Sequence, residues 1–335
     1  MLLLSTYDRA KTKDLYCLED GGVLRVRLPR TSQGVARRWI VGSYQGGWVA
    51  MVSDGHIHIL NLFSGAKVKL SEAQRRIDPS DNSVDPSRIS KIIFSDEPTS
   101  ETCILAAITH GCKVSLCRVS CATNKGWTVK RCGMGILKDI AFCNGELYGL
   151  RLNRQEVRLL MFRIGGATNE LVLVTTIQPV VTERLPFLLW EDDDYAHVHA
   201  IYIFEMGNMP TMAIKTGEYF FRLFELALDV NTSFKWQEMT SLHDYALFLG
   251  PTCSTAVEVC AEGRGGAQRN QIYYSNERYG HLPIHKRYLT KMADGRAVYY
   301  DDDEIVCYDG KVIMSQGFYG ERGVQPAMWI VPPHM

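Results

Sequence analysis

Residues 40–70, IVGSYQGGWVAMVSDGHIHILNLFSGAKVKL, decide the fold, because they read as short apolar runs cut by glycine-bearing turns. In GWVAMVS (47–53) the side chains of Trp48, Ala50 and Val52 fall on one face of an extended chain and those of Val49, Met51 and Ser53 on the other. Both faces are largely apolar, so the run is expected to be buried on both sides. Asp54-Gly55 is a pair that readily takes the positive φ angles of a two-residue hairpin turn. HIHILNL then returns, with Ile57, Ile59 and Asn61 pointing one way and His56, His58 and Leu60 the other. After Ser64-Gly65, AKVKL supplies an expected fourth strand, so the whole stretch predicts an antiparallel four-stranded meander.

The pattern recurs along the chain. A second set comprises ISKIIFS (89–95), CILAAIT (103–109), KVSLCRV (113–119) and GWTVK (126–130). A third comprises ILKDIAF (136–142), ELYGL (146–150), VRLLMFRI (157–164) and ELVLVTT (170–176), with Asn144-Gly145 as a further hairpin pair. A fourth fills 199–239, and a fifth contains YALFLG (245–250), TAVEV (255–259) and IYYS (272–275). Each set takes about 40–50 residues, the period of a four-stranded propeller blade. Helical spacing is confined to SEAQRR (71–76), RYLTKMA (287–293) and a DPSR turn at 85–88.

Repeated meanders must hide their strand edges, and radial closure does so. DLYCLEDGGVLRVRLP (14–29) holds only two or three strands, while EIVCYDGKVIMS (304–315) and MWIVP (328–332) are left over at the other end. The expectation is an all-β propeller of antiparallel four-stranded blades, six or seven in number, whose N- and C-terminal strands share one blade. It forms a single domain over 1–335 with its core at 14–332. A two-sheet sandwich is the alternative, but so many equal units are unusual for it.

Composition narrows the partners. Lys plus Arg and Asp plus Glu are 37 each, so no whole-chain basic field exists to draw nucleic acid or acidic lipid. The opening MLLLSTYDRAKTK is too short in apolar residues for a secretory signal, and no window approaches the roughly 18 apolar residues of a membrane span. Ten cysteines without a Cys-x-x-Cys pair indicate neither a disulfide scaffold nor a zinc ribbon, which points to the cytosol or nucleus.

Taken together, GGWVAMVSDGHIHILNLFSGAKVKL, KIIFS with CILAAIT, KDIAFCNGELYGL, FRLFELALD with FKWQEMTSLHDYALFLG, and IYYSNE resemble, in order, the segments of the plant F-box-associated β-propeller family, also called KIB-type. SLHDYALFLG (241–250) is the most specific, departing from the family's Ser-Leu-Gly-Asp-Arg-Ala-Leu-Phe-Leu-Gly at His243 and Tyr245. The resemblance implies a propeller that holds the protein to be ubiquitinated in a Skp-cullin-F-box ligase. No stretch before residue 14 has the length or helical pattern of an F-box, so the Skp adaptor is not an expected partner of this chain.

Candidate chemistry is sparse. WEDDDYAHVHA (190–200) could offer Asp192, Asp193, His197 and His199 to a metal-dependent hydrolase, but a solvated acidic loop entering a strand accounts for the same residues. His56 and His58 share a strand face without a third ligand in sight, and Cys112, Cys117 and Cys121 do not have zinc spacing. YDDDEIVCYDG (300–310) lacks a regular calcium loop, GRGGAQRN (263–270) matches no phosphate loop, and no GxSxG nucleophile occurs. No metal, cofactor or catalytic residue is assigned.

The reading is therefore a non-enzymatic propeller that binds another protein through its long connections at 180–198 and 260–271. The contact residues expected there are Trp190, Asp192, Asp193 and Asp194 on an acidic segment and Arg264 and Arg269 on a basic one.

Overall fold

The computed structural model describes residues 2–4, 12–18, 23–27, 38–53, 55–77, 89–109, 113–119, 126–133, 135–153, 156–164, 171–177, 198–216, 220–228, 234–259, 266–277, 290–291, 297–301, 304–308, 314–320 and 328–332. The deciding stretch forms β4 (Arg38–Tyr44), β5 (Trp48–Ser53) and β6 (His56–Asn61), and every residue of β5 is buried. The alternation of β5 explains why. Trp48, Ala50 and Val52 pack with Ile92, Leu105 and Ala107 of the following sheet, while Val49 and Met51 pack with Leu15 and Met328 of the preceding one. A strand sandwiched between two neighbouring sheets loses water on both faces, and each fully buried Val or Met contributes about 1.5–3 kcal/mol.

The strands before it are β1 (Leu2–Leu4), β2 (Thr12–Tyr16) and β3 (Val23–Arg27). After α1 (Glu72–Arg75) the second set forms β7 (Ile89–Phe94), β8 (Ile104–Thr109), β9 (Lys113–Arg118) and β10 (Thr128–Arg131). The third forms β11 (Ile136–Cys143), β12 (Glu146–Asn153), β13 (Glu156–Ile164) and β14 (Leu171–Ile177). The fourth forms β15 (Val198–Met206), β16 (Met209–Thr216), β17 (Phe220–Leu228) and β18 (Phe234–Met239). These three sheets are the expected four-stranded meanders. The remainder is β19 (Tyr245–Leu249), β20 (Ser254–Glu258), β21 (Gln271–Glu277), β22 (Thr290–Lys291), β23 (Ala297–Asp301), β24 (Glu304–Tyr308), β25 (Met314–Gly320) and β26 (Met328–Trp329).

The described residues make seven sheets of a β-propeller, the higher of the two expected numbers. The two ends of the chain share a sheet ordered β26-β1-β2-β3, with Leu2 opposite Trp329. Trp329 also donates its indole N–H to the Leu249 carbonyl (2.9 Å) and packs edge-on against Phe248, tying this sheet to the one built on β19.

Four expectations need correction. AKVKL is not a fourth strand: it meets β6 at the isolated Leu60–Lys67 bridge, through the Asn61 N to Ala66 O and Val68 N to Ile59 O bonds, and forms no longer ladder, because Asn61 turns the chain by accepting the amides of Phe63 and Ser64. Leu2–Leu4, taken as lying before the propeller, is a strand within it. Thr290 and Lys291, expected in a short helix, pair with β23. The fifth sheet is mixed rather than antiparallel, in the order β20-β19-β21-β25 with parallel β19–β21 and β21–β25 pairs. Its second strand in sequence lies at the sheet edge against β15, so the chain must cross back to reach β21. The short helix at 71–76 is present as α1, N-capped by Ser71, whose side chain and that of Gln74 bond each other's backbone amides. The DPSR turn at 85–88 lies outside the described residues.

Candidate functional site

Strands β4, β7, β11 and β15 carry the same irregularity. Each slips by one residue against its partner, just before Gly42, Lys91, Asp139 and Ala200 respectively. Such bulges twist a strand and re-aim its side chains, and here they place four equivalent positions in consecutive blades around the propeller axis. At Gly42 the backbones approach so closely that an added Cβ would lie 1.9 Å from the Ile92 carbonyl oxygen.

At the next two positions the bulges bring opposite charges together. The Lys91 ammonium donates to Asp139 Oδ1 at 2.6 Å, with the two side chains only 3% and 4% exposed. Asp139 Oδ1 also accepts the Ile140 amide (2.9 Å), and Oδ2 accepts the Ile203 amide of β15 (2.9 Å). One carboxylate thus joins the innermost strands of three blades. Burial is the largest influence on the Asp139 carboxyl and raises it above the ordinary value, while Lys91 and the two amides pull the other way.

Beside this pair runs a cavity of about 270 Å³ along the axis. Its walls come from the ends of β4, β7, β11 and β15, from the β19–β20 turn and the start of β20, and from Val331 after β26. Lys91 and Thr252 lie toward one end; Gln45 and Glu205, both exposed, lie where the innermost strands finish. Phe142 and Tyr44 are half-buried between them. Burial, then the nearby carboxylates of Asp96 and Glu97 with Cys103, push the Tyr44 phenol upward. Glu205 accepts the Asn144 amide at 2.8 Å, which fixes the β11–β12 turn against β15. Cys253 lies in the same wall, where burial raises its thiol and the Ser43 hydroxyl opposes the rise. Ser43 in turn donates to the Trp329 carbonyl (2.8 Å).

Of the residues expected at a partner surface, Trp190, Asp192, Asp193, Asp194 and Arg264 lie outside the described residues, as do Asp193 and His197 of the hydrolase alternative; the His199 side chain is also outside. Arg269 is described. Its guanidinium bonds Asp244 (2.8 Å) and the Val259 carbonyl (2.9 Å), so it clamps the two ends of the crossing connection together. His56 meets Arg76 at 3.0–3.2 Å and Glu72 at 3.5 Å on the outside of β6, a surface contact. Among the described residues no three His, Cys, Asp or Glu side chains gather as metal ligands.

The two long connections leave from opposite ends of their strands. Val198, which follows the acidic segment, pairs with Thr216 beside Lys215, and Lys215 sits 4.5 Å over the Tyr274 ring, at the Leu249 end of the fifth sheet. Val259 and Gln271, which flank the basic segment, lie at the Tyr245 end, where Tyr245 reaches Gly207 in the β15–β16 turn. The basic segment therefore leaves from the end where Glu205 is exposed. Sequence reasoning missed the axial cavity, although a signal was present: Lys91 in ISKIIFS and Asp139 in ILKDIAF are charges set among mostly apolar strand positions.

Comparison with known proteins follows the same lines. Solved structures similar in fold include the N-terminal domain of Nup159 (11% identity, 99% of this chain and 76% of that one, TM-score 0.35). A luciferin-regenerating enzyme (9%, 97% and 86%, 0.39) and a putative 6-phosphogluconolactonase from Bacteroides uniformis (12%, 97% and 98%, 0.36) are similar to the same degree. At such scores none of them carries an argument about activity. A search of curated proteins finds no match. The profile of the KIB1-4 β-propeller matches residues 15–309, from β2 to just past β24, and the chain belongs to that family.

Proposed function

We propose that this propeller is a non-enzymatic module that holds another protein at the end of its axis where Gln45 and Glu205 are exposed. The observation that carries the reading is the size and lining of the axial cavity. At about 270 Å³ it falls just below the roughly 300–1,000 Å³ of small-molecule sites, and its wall mixes aromatic, aliphatic and hydroxyl side chains. That suits one inserted side chain of a partner, the arrangement by which a few anchors dominate an interface. The basic segment carrying Arg264 and Arg269 leaves from the same end and is the natural rim contact.

The resemblance to F-box-associated propellers supports a finer reading, descent from the substrate-holding part of a ubiquitin ligase. The test is affinity purification with the wild-type chain and with Ala256→Trp, whose indole would fill the cavity. The reading requires a protein retained stoichiometrically by the wild type and lost from the variant; Skp and cullin in the same eluate would support the ligase reading. An identical set of proteins on both baits, with both chains folded, would overturn the axial surface.

A further inference from the structure

Resting on that reading, we propose that the side chain taken into the axial cavity carries a primary carboxamide, the group of asparagine and glutamine. Two polar groups on the cavity wall lack their full complement of partners. The Lys91 ammonium has three donors, and among the described residues Asp139 is the one group bonded to it. The Thr252 hydroxyl is shut off from solvent and has no partner among the described residues. Both line the same cavity. An occupant must therefore offer an acceptor to Lys91 and a group that can bond a hydroxyl, and a carboxamide offers both from one planar unit.

Charge selects among occupants that could do so. Asp139 already neutralises Lys91, so a carboxylate would become a second anion on one ammonium, with Glu205 at the mouth adding to the repulsion. A lysine or arginine would meet the Lys91 ammonium at the deep end and find no free carboxylate there, because Asp139 is already bonded by three donors. A hydroxyl alone could meet Lys91 or Thr252 but has one oxygen to share between them. A neutral amide carries an acceptor for the one and a donor for the other at no cost in buried charge.

Saturation-transfer NMR with N-acetylglutamine methylamide, N-acetylglutamate methylamide and N-acetyllysine methylamide, at equal concentrations on the intact chain, tests this without any partner. The glutamine probe is expected to show the strongest transfer, at least fivefold above the other two. Thr252→Val and Ala256→Trp should each reduce it severalfold, with thermal unfolding showing that both variants are folded. Equal or stronger transfer to the glutamate or lysine probe overturns the carboxamide assignment, as does a glutamine signal unchanged by Ala256→Trp. Because no partner is present, this result is independent of the purification test: loss of partner selectivity there overturns the docking surface, whereas loss of probe selectivity here overturns only the chemistry of its occupant.

Discussion

Lys91 and Asp139 form an ion pair of 2.6 Å across two blades, with both side chains at least 96% buried. Breaking such a pair from one side leaves a buried charge without compensation, which costs about 3–5 kcal/mol. Lys91→Met should therefore lower the unfolding free energy by that amount in urea titration. Lys91→Met/Asp139→Asn, which leaves no charge and keeps an acceptor near Ile203, should lose less than the single variant. A loss below about 1 kcal/mol for Lys91→Met would show that the pair is not closed in solution.

The same variant has a pH signature. Without Lys91 the main influence lowering the Asp139 carboxyl is gone and burial raises it further. A carboxyl whose folded pKa lies above its unfolded value of about 3.9 binds protons more tightly in the native state, so stability falls as pH rises through that window. The deficit of Lys91→Met relative to wild type should be larger at pH 7 than at pH 5, read as the difference in Tm. A deficit that grows on acidification would contradict the assignment.

Gly42 is required by the backbone of the next blade. A methyl at this position would lie 1.9 Å from the Ile92 carbonyl oxygen, a backbone atom that cannot rotate away. Gly42→Ala should cost about 3 kcal/mol through forced separation of β4 and β7, measured by thermal or urea unfolding. A variant as stable as wild type would mean that the two strands are farther apart than described.

Trp329 links the terminal sheet to the fifth. Trp329→Phe keeps the ring contact with Phe248 but leaves the buried Leu249 carbonyl without its indole donor, a loss of about 1–3 kcal/mol. Trp329→Ala also opens a cavity and should lose about 3–5 kcal/mol. Equal losses in the two variants would remove the hydrogen bond from the account.

Burial raises the Cys103 thiol to about 11 and moves Cys143 upward as well. Thiolate is the reactive form, so in native protein at pH 8 iodoacetamide should label the half-buried Cys17 well before either of them, as read by peptide mass spectrometry. Urea should abolish the difference. Labelling of Cys143 as fast as Cys17 in native protein would contradict its burial.

Much of this fold was legible because strand period and turn chemistry are local. The alternation in WVAMVS predicts which neighbour each side chain meets, and Asn144-Gly145 takes the positive φ angles of its turn. The mixed fifth sheet was not legible, since IYYS reads equally well as a strand next to TAVEV or, as found, parallel to YALFLG on its far side. The axial site was hidden for a different reason. A one-residue bulge at Ser90 or Lys138 leaves the apolar pattern almost unchanged, yet it decides that Lys91 and Asp139 point toward each other rather than away. Of the residues expected at a partner surface, Arg269 alone is among the described ones, and its contacts with Asp244 and the Val259 carbonyl depend on a connection whose course local pattern does not fix.

The most direct test of a partner held at the axial end is site-specific photo-crosslinking in cells, with benzoylphenylalanine at Gln45 or at Ile136. Gln45 is exposed at the cavity mouth; Ile136 is 59% exposed at the start of β11, the opposite end of an innermost strand. The account predicts a discrete crosslinked protein from Gln45 that is absent from Ile136 and is lost when Ala256→Trp is added. The same adducts from both positions, or none from Gln45 while Ile136 captures a protein, would contradict it.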